Sequence, residues 1–482
     1  MKPVTGRAVK IAAICYSLFS AAAFSYLVLP QRAGAGILVF VLLQLGAAAW
    51  MVRHQKLRWQ ALFLMLPLVV FGVNAALWSN SIWRIPNFLI SLLLLGAFSL
   101  SASGELHIGR IGVWGDILVS AVRPVSLVHL PFRYGIEVCG GKAGMVRRVL
   151  LAAAIALPCM LVLAVLLAMA DQVFARLLID GLWAVVRHMR VSVIGKCLLG
   201  LAAGLYLCGV MALSCTKPQP RMRAAFNWKT DGLVFALVLS GLLAVYLVFV
   251  IIQFRYLFCG AKLPEGLNYT DYARRGFFEL FGLTCVNLGL IVVGTRLFGT
   301  QKTLAGRWMV ICNLLLCVVT LVLLASSFYR MLLYTWDDGL TRLRLMVFGF
   351  LLFEAVGLAI TVFYVLRPQY NILAVYAALG LSYYLLLNMA NIDGLVAKNQ
   401  IDRYFRGDNS GIHYVMTLSA DAAPQIVRLL QPDHGPVDID TAQKARQYLE
   451  AHYQALHQIP GRWQRGNFAD LRLEQLYGAY VQ

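Results

Sequence analysis

Charged residues are scarce in this chain of 482 residues. Asp, Glu, Lys and Arg make up 13% of the sequence, whereas an ordinary soluble domain holds about 25%. Hydrophobic residues make up 60%. A soluble core of that size is excluded, and the composition is typical of a chain whose main solvent is lipid.

Recognised catalytic and cofactor motifs are also missing. The sequence has no H-E-x-x-H and no G-x-S-x-G, and none of its ten cysteines forms a C-x-x-C pair. Gly140-Gly141-Lys142 departs from a phosphate loop, since Ile136 replaces its first Gly and Ala143 replaces the Ser or Thr that reaches magnesium. We expect no cofactor and no metal site.

The formal net charge is +20. The basic residues are dispersed among hydrophobic runs, without the aromatic-interleaved patch that single-strand binders use. We therefore expect no nucleic-acid partner and interpret the charge as a determinant of membrane topology.

What the chain does have is about eleven runs of roughly 20 apolar residues, each able to cross a hydrocarbon core of about 30 Å as a helix. The predicted fold is an all-α polytopic bundle whose partner is the lipid bilayer. The predicted spans are 9–29, 34–52, 60–78, 86–103, 149–170, 192–214, 232–254, 276–295, 308–330, 345–366 and 370–391.

Basic loops resist translocation and so set the orientation. With the N-terminus inside, the inner segments collect about 20 basic and about four acidic residues, whereas the tail holds nine of each sign. This predicts a cytoplasmic N-terminus and, with an odd number of spans, an extracytoplasmic tail. Whether residues 171–191 also cross the membrane stays open.

Four regions follow from this pattern. We predict a four-span region over 1–103, a cytoplasmic interfacial connector over 104–148, a seven-span core over 149–396 and a soluble helical tail over 397–482. In the tail, Asp421 and Asp440 are predicted to begin helices, and Asn467 is predicted to cap the last one.

Three segments on the predicted outer side are dense in charged and aromatic residues at helix ends. They either anchor the bundle at the interface or converge on a polar pocket for a small ligand or an envelope protein. The candidate site residues are Arg255, Tyr256, Tyr272, Arg274, Arg275, Glu279, Arg330, Asp337, Arg342, Arg344, Asn391, Asp393, Asn399, Asp402, Arg403 and Tyr404.

Glu354 is a further candidate, because it falls near the middle of the span 345–366. A carboxylate at that depth costs a few kcal/mol, so we expect it to face the bundle interior. It either joins two helices through a hydrogen bond or serves as a proton or cation site.

The strings YTDYARRGFFEL, SSFYRMLLY with GLTRLRL, NIDGLVAKNQIDRY and YVMTLSADAAPQI resemble the signature blocks of bacterial membrane proteins grouped as domain of unknown function 4173, which overlaps a class numbered 4153. The resemblance covers roughly residues 150 to 430. It implies a bacterial inner-membrane protein and supplies no activity.

Three functions therefore stay open. The first is an envelope sensor, regulator or assembly component. The second is a secondary transporter, favoured by the span count and by intramembrane polar residues, and weakened by the absence of a visible inverted repeat in the sequence. Those polar residues are Asn74, Asn287, Asn313, Glu354 and Asn388. The third is an envelope enzyme with Glu279, Asp337 or Asp393 as its base.

Overall fold

The computed structural model describes residues 7–29, 34–106, 113–138, 191–215, 232–253, 269–298, 304–408, 411–431, 435–458 and 463–481. Within those ranges the regular structure is helical, and no strand occurs. The predicted all-α bundle is confirmed. Helices are the expected form, because a helix satisfies its own backbone polar groups in lipid.

Nine helices of the described ranges are long and apolar enough to cross a membrane. They are α1 (Arg7–Leu27), α2 (Ala35–His54), α3 (Leu66–Leu77, preceded by a 3-10 helix over Trp59–Met65), α4 (Arg84–Ser103), α7 (Val191–Ser214), α8 (Gly232–Gln253), α10 (Leu304–Asp338), α11 (Arg342–Leu366) and α12 (Ile372–Met389). Each coincides with a predicted span.

Three further helices lie between these. They are α5 (Val113–Val122), α6 (Leu130–Val138) and α9 (Tyr269–Phe298), which covers the predicted span 276–295 with a shorter apolar stretch. The predicted span 149–170 and nearly all of segment 171–191 lie outside the described residues.

The loops define two ends of the bundle. We call one the tail face, where the α1–α2 and α3–α4 loops meet the C-terminal tail: the Ala35 N–H donates to the Gly466 carbonyl at 3.0 Å, and the Ser79 N–H donates to Asp421 Oδ1 at 2.8 Å. The opposite end, with the start of α1 and the α2–α3 turn, is the N-terminal face. The described spans alternate in direction between the two, except that α4 and α7, which are separated by residues outside the described ranges, both run from the tail face to the N-terminal face.

Helices α5 and α6 pack against the halves of α4, α7 and α1 nearer the N-terminal face. Close approach at two glycines permits this: a Cβ on Gly96 would lie 2.7 Å from the Ala121 nitrogen, and one on Gly209 would lie 2.7 Å from the Pro124 carbonyl oxygen. The pair is bent by 42° and adds a tenth span only if it is counted as one. These contacts fit the predicted interfacial connector.

The tail comprises α13 (Ile392–Tyr404), α14 (Ile412–Val415), α15 (Ala423–Ile426), α16 (Ile439–His457) and α17 (Phe468–Tyr480). Its buried apolar core includes Ile401, Val415, Ile426 and Leu449, together with Trp83 from the α3–α4 loop. The predicted boundary at 396/397 therefore falls inside a helix, and the tail packs on the bundle rather than standing apart.

The predicted helix starts in the tail had mixed outcomes. Asn467 caps α17 as predicted, since its side chain accepts the Asp470 N–H at 2.8 Å. Helix α16 begins at Ile439, so Asp440 lies inside its first turn and pairs with Lys444 at 2.5 Å. The cap assigned to Asp421 is wrong, because that side chain turns to a distant loop.

Candidate functional site

The structure describes the predicted outer residues unevenly. Arg255 and Tyr256 lie outside the described residues. Five others have a described backbone in α9 or α10 but lie outside the described side chains: Tyr272, Arg274, Arg275, Glu279 and Asp337. Their role stays a prediction. The candidates in α11 and α13 are fully described, and they meet at the tail face.

Arg342 and Asp393 form the centre of that meeting point. Asp393 lies in the first turn of α13, with a side chain that is fully buried. Arg342 begins α11 and donates from Nε to Asp393 Oδ1 at 2.5 Å and from Nη2 to Asp393 Oδ2 at 2.6 Å. Two parallel charge-assisted hydrogen bonds of this kind fix both distance and orientation.

Ser419 extends this pair to a second carboxylate. Its backbone N–H donates to Asp393 Oδ2 at 3.0 Å, and its hydroxyl contacts both Asp393 Oδ2 and, at 2.8 Å, Asp421 Oδ2. The Asp421 carboxylate also accepts the backbone N–H groups of Ser79 at 2.8 Å and Asn80 at 3.0 Å. We call this set, Arg342, Asp393, Ser419, Asp421 and the Ser79–Asn80 backbone, the carboxylate latch.

If Asp393 and Asp421 are both ionised, the latch has too few donor hydrogens for the contacts between Ser419 and the two carboxylates. A serine hydroxyl has one hydrogen, and it cannot donate to two carboxylates at once. Burial raises the pKa of Asp421, and the nearby Asp393 carboxylate raises it further, against the opposing hydrogen bonds. Asp421 therefore takes up a proton more readily than a carboxyl group in water does.

Neighbouring groups close the latch. Asn391 caps α13 by accepting the Gly394 N–H at 2.7 Å and donates to the Asp421 carbonyl at 3.3 Å. The Tyr448 hydroxyl donates to the Ser419 carbonyl at 2.5 Å, and burial raises the pKa of Tyr448, which keeps it a donor. A cavity of about 10 Å³ beside Asp393 and Asp421 is the size of one water molecule.

A second group of predicted residues joins the α10–α11 corner to α13. The Arg344 guanidinium lies 3.6 Å from the centroid of the Tyr334 ring and donates to the Gly339 carbonyl at 2.5 Å. The Leu340 N–H donates to Asn399 Oδ1 at 3.2 Å. These contacts fit the anchoring interpretation.

Charged residues farther along α13 continue this joint. Arg403 donates to the carbonyls of Thr335 and Trp336 at 3.1 and 2.8 Å. Asp402 pairs with Arg428 at 2.8 Å. The Tyr404 hydroxyl accepts the Asp438 N–H at 2.9 Å and so holds the start of α16. The described tail is thus fastened to the bundle along the length of α13.

Glu354 has the opposite environment. It lies in the middle of α11 with 3% of its surface exposed, as predicted, but neither carboxyl oxygen has a hydrogen-bond partner among the described residues. The nearby Thr284 hydroxyl on α9 donates to the Phe281 carbonyl of its own helix at 2.8 Å. An ionised carboxylate without donors is costly at this depth, and binding a proton or a cation removes that cost.

Buried polar side chains continue from Glu354 toward both faces. We call the following set the polar file, since every member is at most 7% exposed and lies on α8 to α11: Tyr246, Thr284, Asn287, Thr295, Asn313, Thr320, Ser326, Ser327, Arg330, Glu354 and Thr361. From Asn313 to Arg330, the file extends about 26 Å along α10, close to the thickness of a hydrocarbon core of about 30 Å.

Hydrogen bonds join members of the polar file that lie on different helices. Tyr246 donates to Asn287 at 2.7 Å, and Asn287 donates to Thr320 at 3.2 Å. Asn313 donates to Thr295 at 3.0 Å, while its own Oδ1 has no partner among the described residues. Two acceptor groups of the file, on Glu354 and Asn313, are therefore left without donors.

The other intramembrane asparagines join helices near the tail face. Asn74 donates to the Asn388 carbonyl at 2.5 Å, and Asn388 Oδ1 accepts from Asn87 at 2.8 Å. They tie α3 and α4 to α12 and are separate from the polar file. Within the described residues, no group of three His, Cys, Asp or Glu side chains is arranged to hold a metal ion.

Comparison with curated proteins and with solved structures finds no match. A family comparison does. The model described as "Domain of unknown function (DUF4153)" matches residues 65–429, which include the carboxylate latch and the polar file. The match confirms the resemblance to class 4153, while membership of class 4173 stays a prediction. Since the match covers more than half of its length, this multi-pass membrane protein belongs to the DUF4153 family.

Proposed function

We propose that the protein is a secondary transporter that binds a proton at Glu354 during its cycle. The observation that carries the proposal is the Glu354 carboxyl group, which is buried and has no hydrogen-bond partner among the described residues. Ionisable groups inside membrane bundles are rare and mark ion or proton pathways far more often than chance.

The polar file supports transport rather than an isolated site. It places hydroxyl, amide and guanidinium groups on both sides of Glu354 over most of the membrane thickness. A purely structural carboxyl group needs one good hydrogen bond to a neighbouring helix, and among the described residues Glu354 accepts none. A group that changes its protonation state gains from having no fixed donor.

An infrared titration of the purified protein tests proton binding directly. Glu354→Gln keeps the shape and removes the titration, while Glu354→Asp keeps a titrating acid. We expect the wild type and Glu354→Asp to show a carbonyl stretch from a protonated carboxyl group that disappears at high pH, and Glu354→Gln to lack it. Identical titrations of the wild type and Glu354→Gln overturn the proposal.

Proton flux into liposomes tests the transport step. The wild type, reconstituted with a pH-sensitive dye inside and a potassium diffusion potential, is expected to admit protons faster than Glu354→Gln at equal protein content. Equal flux in the two proteins, with the infrared difference intact, rules out transport and leaves proton sensing.

An envelope sensor or assembly component is the second candidate. The carboxylate latch favours it, since it fastens the tail to the α3–α4 loop and to the start of α11, the helix that carries Glu354. The third candidate, an envelope enzyme, gains no support at Asp393, because both Asp393 oxygens already accept hydrogen bonds. Its other two possible bases, Glu279 and Asp337, lie outside the described side chains.

We further propose a bacterial inner membrane, with the N-terminal face in the cytoplasm and the tail outside. The tail and the first loops of the bundle meet at the face opposite the basic start of α1 and the α2–α3 turn. Alkaline phosphatase fused after Tyr477 should be active. An inactive phosphatase, with a fluorescent cytoplasmic reporter at the same position, reverses this orientation.

A further inference from the structure

A crevice opens at the N-terminal face between α1, α2, α6 and α7. Its volume is about 170 Å³. Its lining is largely apolar or aromatic and includes several alanines. Among the lining residues are Ala12, Tyr16, Ala47, Met51, Tyr134 and Met211. It is far along the chain from the polar file and shares no residue with it, so it calls for a separate explanation.

The apolar lining of the crevice makes it a poor site for water. The Tyr16 hydroxyl, the main polar group on the α1 wall, donates to Gln44 Oε1 at 2.5 Å. Apolar cavities of about 150 Å³ stay dry and bind a hydrocarbon the size of benzene. A crevice that opens within the depth of a bilayer is therefore suited to a segment of a hydrocarbon chain.

The rim of the crevice is positively charged. Lys10 Nζ and Arg133 Nε each lie 2.8 Å from a carboxylate oxygen of Glu137, so two cations share one anion. The Arg133 side chain is 59% exposed, and Arg53 lies in the last turn of α2, two residues from each of the lining residues Met51 and Gln55. The excess of positive charge complements a phosphate group.

We propose that this crevice binds an anionic phospholipid from the leaflet at the N-terminal face. One acyl chain lies between α1, α2 and α7, and the phosphate lies against the rim formed by Lys10 and Arg133. The bound lipid fills the space that the alanines leave and links α6 to the first two helices. Proton binding at Glu354 is not needed for any part of this inference.

Native mass spectrometry of the purified protein, with added phosphatidylglycerol or phosphatidylcholine, tests the site. Ala12→Leu fills the crevice from α1, and Ala22→Leu is its matched control on an exposed part of the same helix. We expect Ala12→Leu to bind phosphatidylglycerol at least about tenfold more weakly than the wild type, and Ala22→Leu to bind it equally. Ala47→Leu, from α2, should repeat the effect if Ala12→Leu is poorly folded.

Arg133→Gln tests the phosphate contact. Glu137 keeps Lys10 as a partner in this variant. One basic residue near anionic lipid contributes about 1 kcal/mol, so the preference for phosphatidylglycerol over phosphatidylcholine should fall about fivefold. Equal binding of the two lipids by the wild type overturns the headgroup assignment, and equal binding by Ala12→Leu, Ala47→Leu and Ala22→Leu overturns the site.

Discussion

Asp393 and Glu354 are both buried carboxylates: Asp393 pairs with the first residue of α11, and Glu354 lies in the middle of that helix. They differ in their hydrogen bonds and in their position relative to the spans. Asp393 accepts two hydrogen bonds from Arg342 and two from Ser419, outside the spans. Glu354 lies mid-span and accepts none from the described residues. The first arrangement fixes one geometry. The second leaves the charge state open, which is what a group that binds and releases protons requires.

We expect the largest loss of stability from a substitution at Asp393. Asp393→Asn removes the charge opposite Arg342, and breaking a buried pair costs about 3 kcal/mol or more. We expect a large fall in the melting temperature of the purified protein. The control is Asp402→Asn, whose partner Arg428 forms a more exposed pair that contributes about 1 kcal/mol or less. Equal shifts in melting temperature in the two variants would show that the Arg342–Asp393 pair stabilises the fold no more than the exposed Asp402–Arg428 pair does.

The α10–α11 corner beside the latch should be the next most sensitive. Gly339 has φ +75°, and a Cβ there would lie 2.5 Å from the buried Gln400 side chain. Gly339→Ala should cost about 2 to 3 kcal/mol, because backbone strain of about 1 to 2 kcal/mol adds to the displacement of Gln400. Gly407, with φ +92° and open space around it, gives the strain alone. If Gly407→Ala is as destabilising in thermal unfolding, packing against Gln400 contributes nothing.

The third prediction concerns how the stability that Asp421 contributes depends on pH. Its folded-state pKa lies above the ordinary 3.8, so the folded protein holds this proton more tightly than the unfolded chain. The resulting stability is present at low pH and is lost as pH rises through the folded-state pKa, by at most about 1.4 kcal/mol per pH unit. Asp421→Asn cannot titrate. Its melting temperature should decline less than that of the wild type as pH rises above 3.8, and parallel declines would contradict a raised pKa at Asp421.

Glu354 should show the smallest effect on stability. Glu354→Gln removes no hydrogen bond seen among the described residues and introduces no charge, so we expect a change within about 0.5 kcal/mol. Asn287→Leu in the same polar file should cost about 1 to 2 kcal/mol, because it leaves Tyr246 without its acceptor. Thermal unfolding in one detergent compares the two. A loss with Glu354→Gln as large as that with Asn287→Leu would assign Glu354 a structural bond.

The spans could be predicted from sequence because each is a continuous apolar run of membrane length. The structure moves most ends by one to four residues, and it lengthens α10 to 35 residues by continuing past Arg330 to Asp338. Hydropathy falls there, so the pattern ends before the helix does. The burial of Glu354 was equally predictable, since depth along a helix follows from residue count.

The latch could not be predicted, because its partners are far apart in the chain. Asp421 has the local pattern of a helix cap, but more than 300 residues separate it from Ser79 and Asn80. The pairing of Arg342 with Asp393 likewise spans two helices whose contact no local pattern encodes. One signal was present: Asp421 is the only acidic residue in the largely apolar stretch YVMTLSADAAPQI, and a buried acid needs partners.

The hydrogen bond from Ala35 to Gly466 has a consequence for the order of assembly. Ala35 is synthesised about 430 residues before Gly466, which corresponds to roughly 20 to 90 s at ordinary rates of synthesis. Until then the loop before α2 has a backbone donor, and Gly34 a closely approached face, whose partners at Arg465 and Gly466 do not yet exist. This contact therefore forms only after residues 463–466 have been synthesised, and a chain truncated before residue 463 leaves the Ala35 N–H without its partner.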